Sequence, residues 1–276
     1  MKRLRSTAER TGSIGRKLKH LLDRFLSIGF ILLLIGFWEW SVRYFEIKNY
    51  ILPAPSAIYS ALLRQYPLLL VHTRVTVYEA VTGLVVSIGV ALVLAGTMNR
   101  SPLIKRLLYP IFVISQTIPI IALAPLMMIW FGLGTLPKII IVVLICFFPL
   151  VISMTEGLES VDQDLIDLMR VMGASPSRIF FSVQLPSALP SVFAGLRISA
   201  TYSVMGAVIG EWLGAQSGLG VFMIRGMNSF ATTSVFAAIV VVIVLSILMF
   251  KLVDLAAWLM MPWNRPRAST IDLQDN

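Results

Sequence analysis

From residue 25 onward the chain alternates long apolar runs with short polar stretches. A helix needs about 20 apolar residues to cross about 30 Å of hydrocarbon. Runs of roughly that length fall at about 25–42, 75–98, 107–131, 137–154, 191–213 and 235–255. The pattern predicts an all-α, polytopic membrane protein with about six transmembrane helices. Between the first two runs, Leu52-Pro53-Ala54-Pro55-Ser56 breaks the chain, and Ser56 is placed to cap a helix of about ten residues ending at Gln65. Such a helix is too short to span. Glu39, near the end of the first run, is expected at the interface between Trp38 and Trp40.

The runs differ in what interrupts them. The third contains Pro110, Pro119 and Pro125, so it is expected to be kinked or broken. Broken backbone at membrane depth is tolerated only against protein or water, which places this run inside the bundle. Its polar residues are Gln116 and Thr117. The second run carries Gly83, Ser87, Ala91 and Ala95 at every fourth position, and the fifth carries Gly195, Ser199, Ser203 and Ala207. Small side chains at that spacing let a second helix approach closely. Arg197 is expected to snorkel at one end of the fifth run, and Lys251 and Asp254 to pair at i, i+3 in the sixth. Glu211 closes the fifth run, and Gly218-Leu219-Gly220 follow in a glycine-rich loop. These four residues are the expected outer gate. The expected translocation path is polar but uncharged, lined from Gln116, Thr117, Thr201, Tyr202 and Ser203, because formal charge at mid-depth is costly. Tyr202 can also stack on an aromatic ring.

The longest polar interruption in the second half runs from Ser160 to Pro190. Ser160 and Gln163 stand at capping-box spacing, and Leu165, Leu168, Met169 and Met172 predict one apolar helical face. Asp162, Asp164 and Asp167 fall where the helix dipole favours anions. Gly173 supplies a left-handed terminator, and Ser175-Pro176 starts a second short helix through Arg178, Ile179 and Phe180 that stops near Pro186. Helix, glycine turn and short helix between two spans make a docking element rather than a catalytic loop.

Composition narrows the function. Of 276 residues 57% are hydrophobic and 13% charged, and the net charge is +9. The basic residues cluster at the ends of the apolar runs, which fits membrane loops and gives no support to nucleic-acid binding. Residues 1–24 hold eight Lys or Arg, and Ile14, Leu18, Leu21, Leu22 and Phe25 share a helical face, which predicts an interfacial helix on anionic lipid. A signal peptide is disfavoured, because the apolar run continues without a small-residue cleavage site. The transmembrane domain is expected at 25–262 and a polar tail at 263–276. The N-terminus, the loop at 99–106, the stretch 160–190 and the tail carry the excess of Lys and Arg, so both termini and the docking element are expected in the cytoplasm. Cys146 is the single cysteine, and His20 and His72 lie far apart, so neither a metal site nor a cofactor is expected. No Gly-Lys pair occurs, hence no Walker A loop, and ATP would have to bind another chain. No nucleophile–base constellation supports an enzyme. An ion-coupled secondary transporter, the competing class, would use intramembrane ionisable residues, and few are evident.

The docking element is similar to the EAA loop of bacterial ABC importer permeases: Glu-Ala-Ala, three residues, Gly, nine residues, Ile, one residue, Leu-Pro. The matching positions are Asp167-Leu168-Met169, Gly173, Val183 and Leu185-Pro186. Asp167 and Val183 are conservative replacements, and Leu168 and Met169 depart from the two alanines. The stretches Gln116-Thr117-Ile118-Pro119, Ala122–Leu126, Trp130-Phe131-Gly132 and Pro137-Lys138 resemble the nitrate, sulfonate and taurine branch of these permeases. Ala200–Ser203 and Gly206–Trp212 with Gly218-Leu219-Gly220 look most similar to permeases for pyrimidine precursors of thiamine. The resemblance implies a type I ABC importer bundle in the bacterial inner membrane, non-catalytic itself. It implies a permease homodimer, cytoplasmic ABC ATPase subunits and an extracytoplasmic substrate-binding protein. It assigns ATPase coupling to Asp167, Leu168, Met169, Gly173, Ala174, Ser175, Val183, Leu185 and Pro186. The implied cargo is a small polar solute, a thiamine pyrimidine precursor first, with nitrate, taurine or alkanesulfonates as the alternative.

Overall fold

The computed structural model describes Leu26 and residues 28–264. The expected interfacial helix of residues 1–24 and the tail from residue 265 lie outside the described residues. Helix α1 covers 28–44, α2 Pro55–Arg64, α3 Tyr66–Arg100, α4 Pro102–Ser115, α5 Ile120–Phe131 and α6 Thr135–Glu159. Then come α7 Gln163–Val171, α8 Pro176–Ile179, α9 Leu185–Glu211, α10 Leu219–Asn228 and α11 Thr232–Met260. No strand occurs among the described residues. Four helical stretches are long and apolar enough to cross a membrane: α3, α6, α8 through α9, and α11. The pair α4 and α5 is apolar enough only when taken together, and it is bent by 101° at its break, the geometry of a broken span or a re-entrant loop; α1 occupies the first apolar run.

The break falls at one of the three prolines. Pro119 is the N-cap of α5, while Pro110 and Pro125 are absorbed inside α4 and α5. Pro119 offers no N–H and disfavours a helical Ile118. Two tight turns, Thr117 N to Ile114 O and Ile118 N to Ser115 O, end α4 just before it.

Three local expectations are corrected. Helix α3 begins at Tyr66 rather than near residue 75, because Pro67 starts a helix well and only Gln65 separates it from α2. At about 1.5 Å per residue its 35 residues reach about 52 Å. Ser56 does not cap α2. The N-cap is Ala54, and the free donors are met from α1, where Glu39 accepts from Ser56 N at 3.0 Å and from Ser56 Oγ at 2.8 Å. Glu39 thus bridges two elements, and Arg43 pairs with it at 2.6 Å. Arg197 does not simply snorkel: its Nε and Nη2 bind Asp254 at 3.1 and 3.0 Å and tie α9 to α11. Lys251 pairs with Asp254 at i, i+3 as expected, at 3.9 Å.

Helix α6 is the centre of the bundle, with α3 on one side and α9 on the other. The small-residue stripes expected in the second and fifth runs both face it. A methyl group on Gly195 would sit 2.5 Å from Ser153 Cβ, and one on Gly83 would overlap Val142. Ser199 Oγ donates to Cys146 O at 2.8 Å, and Cys146 Sγ donates to Ser199 O at 3.2 Å. Lipid chains are as apolar as a leucine, so close backbone approach and interhelical hydrogen bonds hold such helices together. The outer faces carry exposed Leu92, Val93, Ile243, Ile247 and Leu248, as a lipid-facing surface requires.

Candidate functional site

Helices α6 and α9 run antiparallel, so the docking element and the Glu211 region lie at opposite ends of the bundle. At the first end, Asp162 caps α7, accepting from Asp164 N at 2.9 Å. Ser160 is not the cap; its Oγ donates to Gly157 O. Gly173 has φ +77°, with Gly173 N bonded to Arg170 O and Ala174 N to Met169 O. This is a Schellman termination, which needs a left-handed residue. Ser175 then caps α8, with Pro176 in its first turn. The expected stop near Pro186 does not occur. A π-helical turn at Phe180–Gln184 shifts the hydrogen-bond register, with Leu185 N reaching back to Phe180 O. Pro186 is thereby accommodated inside the continuous helix, just after the register shift of the π turn. The elbow therefore continues as one helical stretch, Pro176–Glu211, into the bundle.

The expected single apolar face of α7 is in fact two. Ile166 is the buried anchor, packed with Val161, Ile179 and Val183, and Met169 and Ala174 lean on that cluster. Leu165, Leu168, Val171 and Met172 point outward; Val171 is 87% and Met172 76% exposed. Phe181, in the π turn, is also exposed. Asp167 pairs with Arg170 at 2.8 Å on the open surface. An element that buries one apolar face and leaves a second uncovered is built to bind protein or lipid.

The opposite end buries charge. Glu211 and Glu79 are 0% exposed and Lys138 is 5% exposed. Lys138 pairs with Glu79. Glu211 Oε1 accepts from Thr76 Oγ1 at 2.6 Å and Oε2 from Gly220 N at 2.6 Å. Leu219 N donates to Thr76 Oγ1 and Gly218 N to His72 Nδ1, both at 2.9 Å. The first donors of α10 are thus capped by side chains from α3 and α9. Gly218 has φ +128°, and a Cβ there would overlap the Glu211 carboxyl. The structure brings Glu211, Gly218, Leu219 and Gly220 together as expected. Leu219, however, is fully buried within the protomer and packs the bundle end rather than facing out of it. Sequence reading missed His72, Thr76 and Glu79 as site residues, and placed Lys138 only in the family resemblance, not in this cluster. Their signal was available: the first three recur at i, i+4 and i+7, in line with Gly83 and Ser87.

The five expected path residues separate. Gln116 and Thr117 lie exposed at the break between α4 and α5. Gln116 and Tyr202 line one cleft of about 290 Å³. Ser203 is fully buried against α6, its Oγ donating to Ala200 O at 2.8 Å. Thr201 is half-buried and donates to Arg197 O. Adjacent helical residues point about 100° apart, so Tyr202 and Ser203 cannot share a face; Ser203 belongs to the packing stripe.

Residues 87–257 match the family of binding-protein-dependent transport system inner membrane components. The chain belongs to this family. It is 37% identical over 237 residues to the formylaminopyrimidine transport permease protein ThiX of Halalkalibacterium halodurans, covering 86% of this chain and 94% of that protein. It is 36% identical to a probable ABC transporter permease protein of Haemophilus influenzae, covering 87% and 96%. The taurine transport system permease protein TauC of Escherichia coli is 31% identical, covering 81% and 84%. A solved inward-facing structure of the MetNI methionine ABC transporter has the same fold, with a TM-score of 0.58 at 22% identity over 70% of this chain and 96% of that one. The protein is a permease subunit of an ABC importer, a non-catalytic membrane component that works with ATPase and substrate-binding partners. In this permease, the elbow and the charged cluster are the two ends of one transport bundle.

Proposed function

We propose that the permease forms a homodimer in the bacterial cytoplasmic membrane, with both termini and the α7–α8 elbow inside. The imported solute is a pyrimidine of the thiamine-precursor type. The exposed apolar edge of the elbow carries this reading. Leu168, Val171 and Met172 enter a groove on the ATPase partner, with Asp167 at the rim. Gly173, Ala174 and Ser175 hold the turn, and Val183, Leu185 and Pro186 join it to α9 without a hinge. Burying a Leu, Val or Met side chain contributes about 1.5–3 kcal/mol, so a few such residues hold a partner firmly. Glu211 with Gly218, Leu219 and Gly220 closes the outer end, and Gln116, Thr117 and Tyr202 line the path. The sidedness follows from the excess of Lys and Arg in the loops on the elbow side. The identity to the formylaminopyrimidine permease supports the solute.

The test is uptake into proteoliposomes holding the permease with its ATPase and binding protein. ATP-dependent accumulation of a formylaminopyrimidine, unaffected by a protonophore while ATP is maintained, is the expected result. Accumulation that the protonophore abolishes belongs to a secondary transporter and overturns the reading. Accumulation of taurine instead keeps the importer and replaces its solute.

A further inference from the structure

The cleft at the broken span is lined by the end of α4, the middle of α6 and the second half of α9, through Ser115, Gln116, Phe148, Tyr202, Met205 and Ile209 among others. Three observations make it more than a gap between helices. The first is where it lies. Backbone that leaves helical geometry inside hydrocarbon must face protein or water, and the 101° break between α4 and α5 forms one wall. At membrane depth such a face must look onto the path or a second protomer rather than onto lipid. The second is what it offers. The Gln116 carboxamide and the Tyr202 hydroxyl make no hydrogen bond among the described residues, and the Tyr202 side chain is 42% exposed. A carboxamide both donates and accepts, as does a phenol. The third is what it lacks. No charged residue lines the cleft.

We propose that this cleft is a solute subsite of the permease, recognising an uncharged, planar nitrogen heterocycle of a single ring. The ring lies against Tyr202 and Phe148, and Gln116 bonds its edge. Small-molecule pockets usually span about 300–1,000 Å³, so a cleft of about 290 Å³ suits one ring rather than a fused three-ring solute. A sulfonate would enter a site with no cation to meet it, at a large desolvation cost. The relatives of this chain include permeases named for formylaminopyrimidine, riboflavin, taurine and aliphatic sulfonates. Of these cargo types, the cleft fits the first. The subsite rests on the pyrimidine reading above, yet it makes a separate claim, that the membrane subunit itself discriminates.

The experiment is equilibrium binding of a radiolabelled formylaminopyrimidine to the full chain in nanodiscs, without ATPase or binding protein. Saturable binding is expected, displaced by unlabelled pyrimidine and not by taurine. Gln116→Ala and Tyr202→Ala each weaken it about tenfold, which corresponds to about 1.4 kcal/mol. Tyr202→Phe keeps the stacking face and loses less. Met205→Trp fills the cleft and abolishes binding. Size-exclusion profiles are taken for every variant. A change of assembly state in the Gln116 and Tyr202 variants, with binding per correctly assembled complex unchanged, assigns the face to protomer contact and overturns the subsite. Equal displacement by taurine, or no saturable binding, also overturns it. ATP-driven pyrimidine uptake by the complete assembly would still stand in either case, so the two readings fail separately.

Discussion

Lys138 sits in the first turn of α6 and Glu159 is its last residue, and the two ends of this helix are built in opposite ways. Around Lys138 the chain buries charge. Two carboxylates and one ammonium lie out of water, and every backbone donor at the start of α10 that they reach is satisfied. Around Glu159 the ionic contacts stay near the surface: Lys105 pairs with Glu159, and Asp167 with Arg170, all at least partly exposed. There the uncovered groups are apolar. The difference follows from the cost of adjustment. A desolvated ion pair tolerates little movement, because removing one partner leaves an unpaired buried charge. An exposed Leu, Val or Met accepts any complementary apolar surface. One end is therefore fixed in a single geometry, and the other is adaptable and available for a partner.

Breaking the fixed end is expected to have the largest effect. Lys138→Met leaves Glu79 buried without its cation and should destabilise the bundle by about 3–5 kcal/mol. Glu79 Oε2 already lacks a hydrogen-bond partner. The double variant Lys138→Met with Glu79→Met should recover most of that loss, since two apolar side chains replace a buried pair at little cost. Reversible denaturation in mixed micelles measures both; equal loss in the single and double variants would show that packing, not charge, is lost.

Two of the four positive-φ glycines among the described residues sharpen the contrast. Gly218→Ala imposes strain of about 1–3 kcal/mol for the backbone conformation and also drives the Glu211 carboxyl off Gly220 N. Gly173→Ala faces open space, with nothing within 4 Å of the added carbon, so only the backbone term of about 1–2 kcal/mol applies. The same micelle unfolding experiment should rank Gly218→Ala clearly below Gly173→Ala. Functionally the order changes: Gly173→Leu should leave the permease folded in the membrane while ATP hydrolysis no longer drives uptake. Normal uptake and normal stimulation of the ATPase in Gly173→Leu would remove the elbow turn from the coupling mechanism.

The adaptable end was the more legible in sequence, for a physical reason. Its geometry is local: Gly173 and Ser175-Pro176 act within a few residues, and both behave as expected. Pro119 likewise breaks its span through its own missing donor. The fixed end is made by contacts across 59 residues from Glu79 to Lys138 and 135 from Thr76 to Glu211. A single polar residue in an apolar run carries no hint of a partner that distant. Local signals also misled where another element offered a better solution. Ser56 lost its capping role to Glu39, and the π turn before α9 let the helix pass Pro186. The stripes of small residues showed that close packing occurs but not that α6 is the shared partner, so Ser203 reads as a path residue although it is fully buried within the protomer.

The smallest expected change in stability is also the most pointed. Val171→Ser and Met172→Ser alter side chains that are almost fully exposed and touch no buried cluster, so each should shift unfolding by no more than about 0.5 kcal/mol. Ile166→Ser, two helical turns or less away on the same short helix, removes the buried anchor and should cost about 2–5 kcal/mol, in the range for truncating a core aliphatic. If the outward face exists to hold the ATPase, the two exposed variants should lower ATPase association, measured by co-purification at increasing salt and by ATP-driven uptake, while the permease alone unfolds as wild type does. The salt series matters, because an apolar contact is not screened, whereas one held by Asp167 and Arg170 weakens as ionic strength rises. Retained association in Val171→Ser and Met172→Ser, with loss only at high salt, would move the docking contact from the apolar edge of α7 to its charged rim.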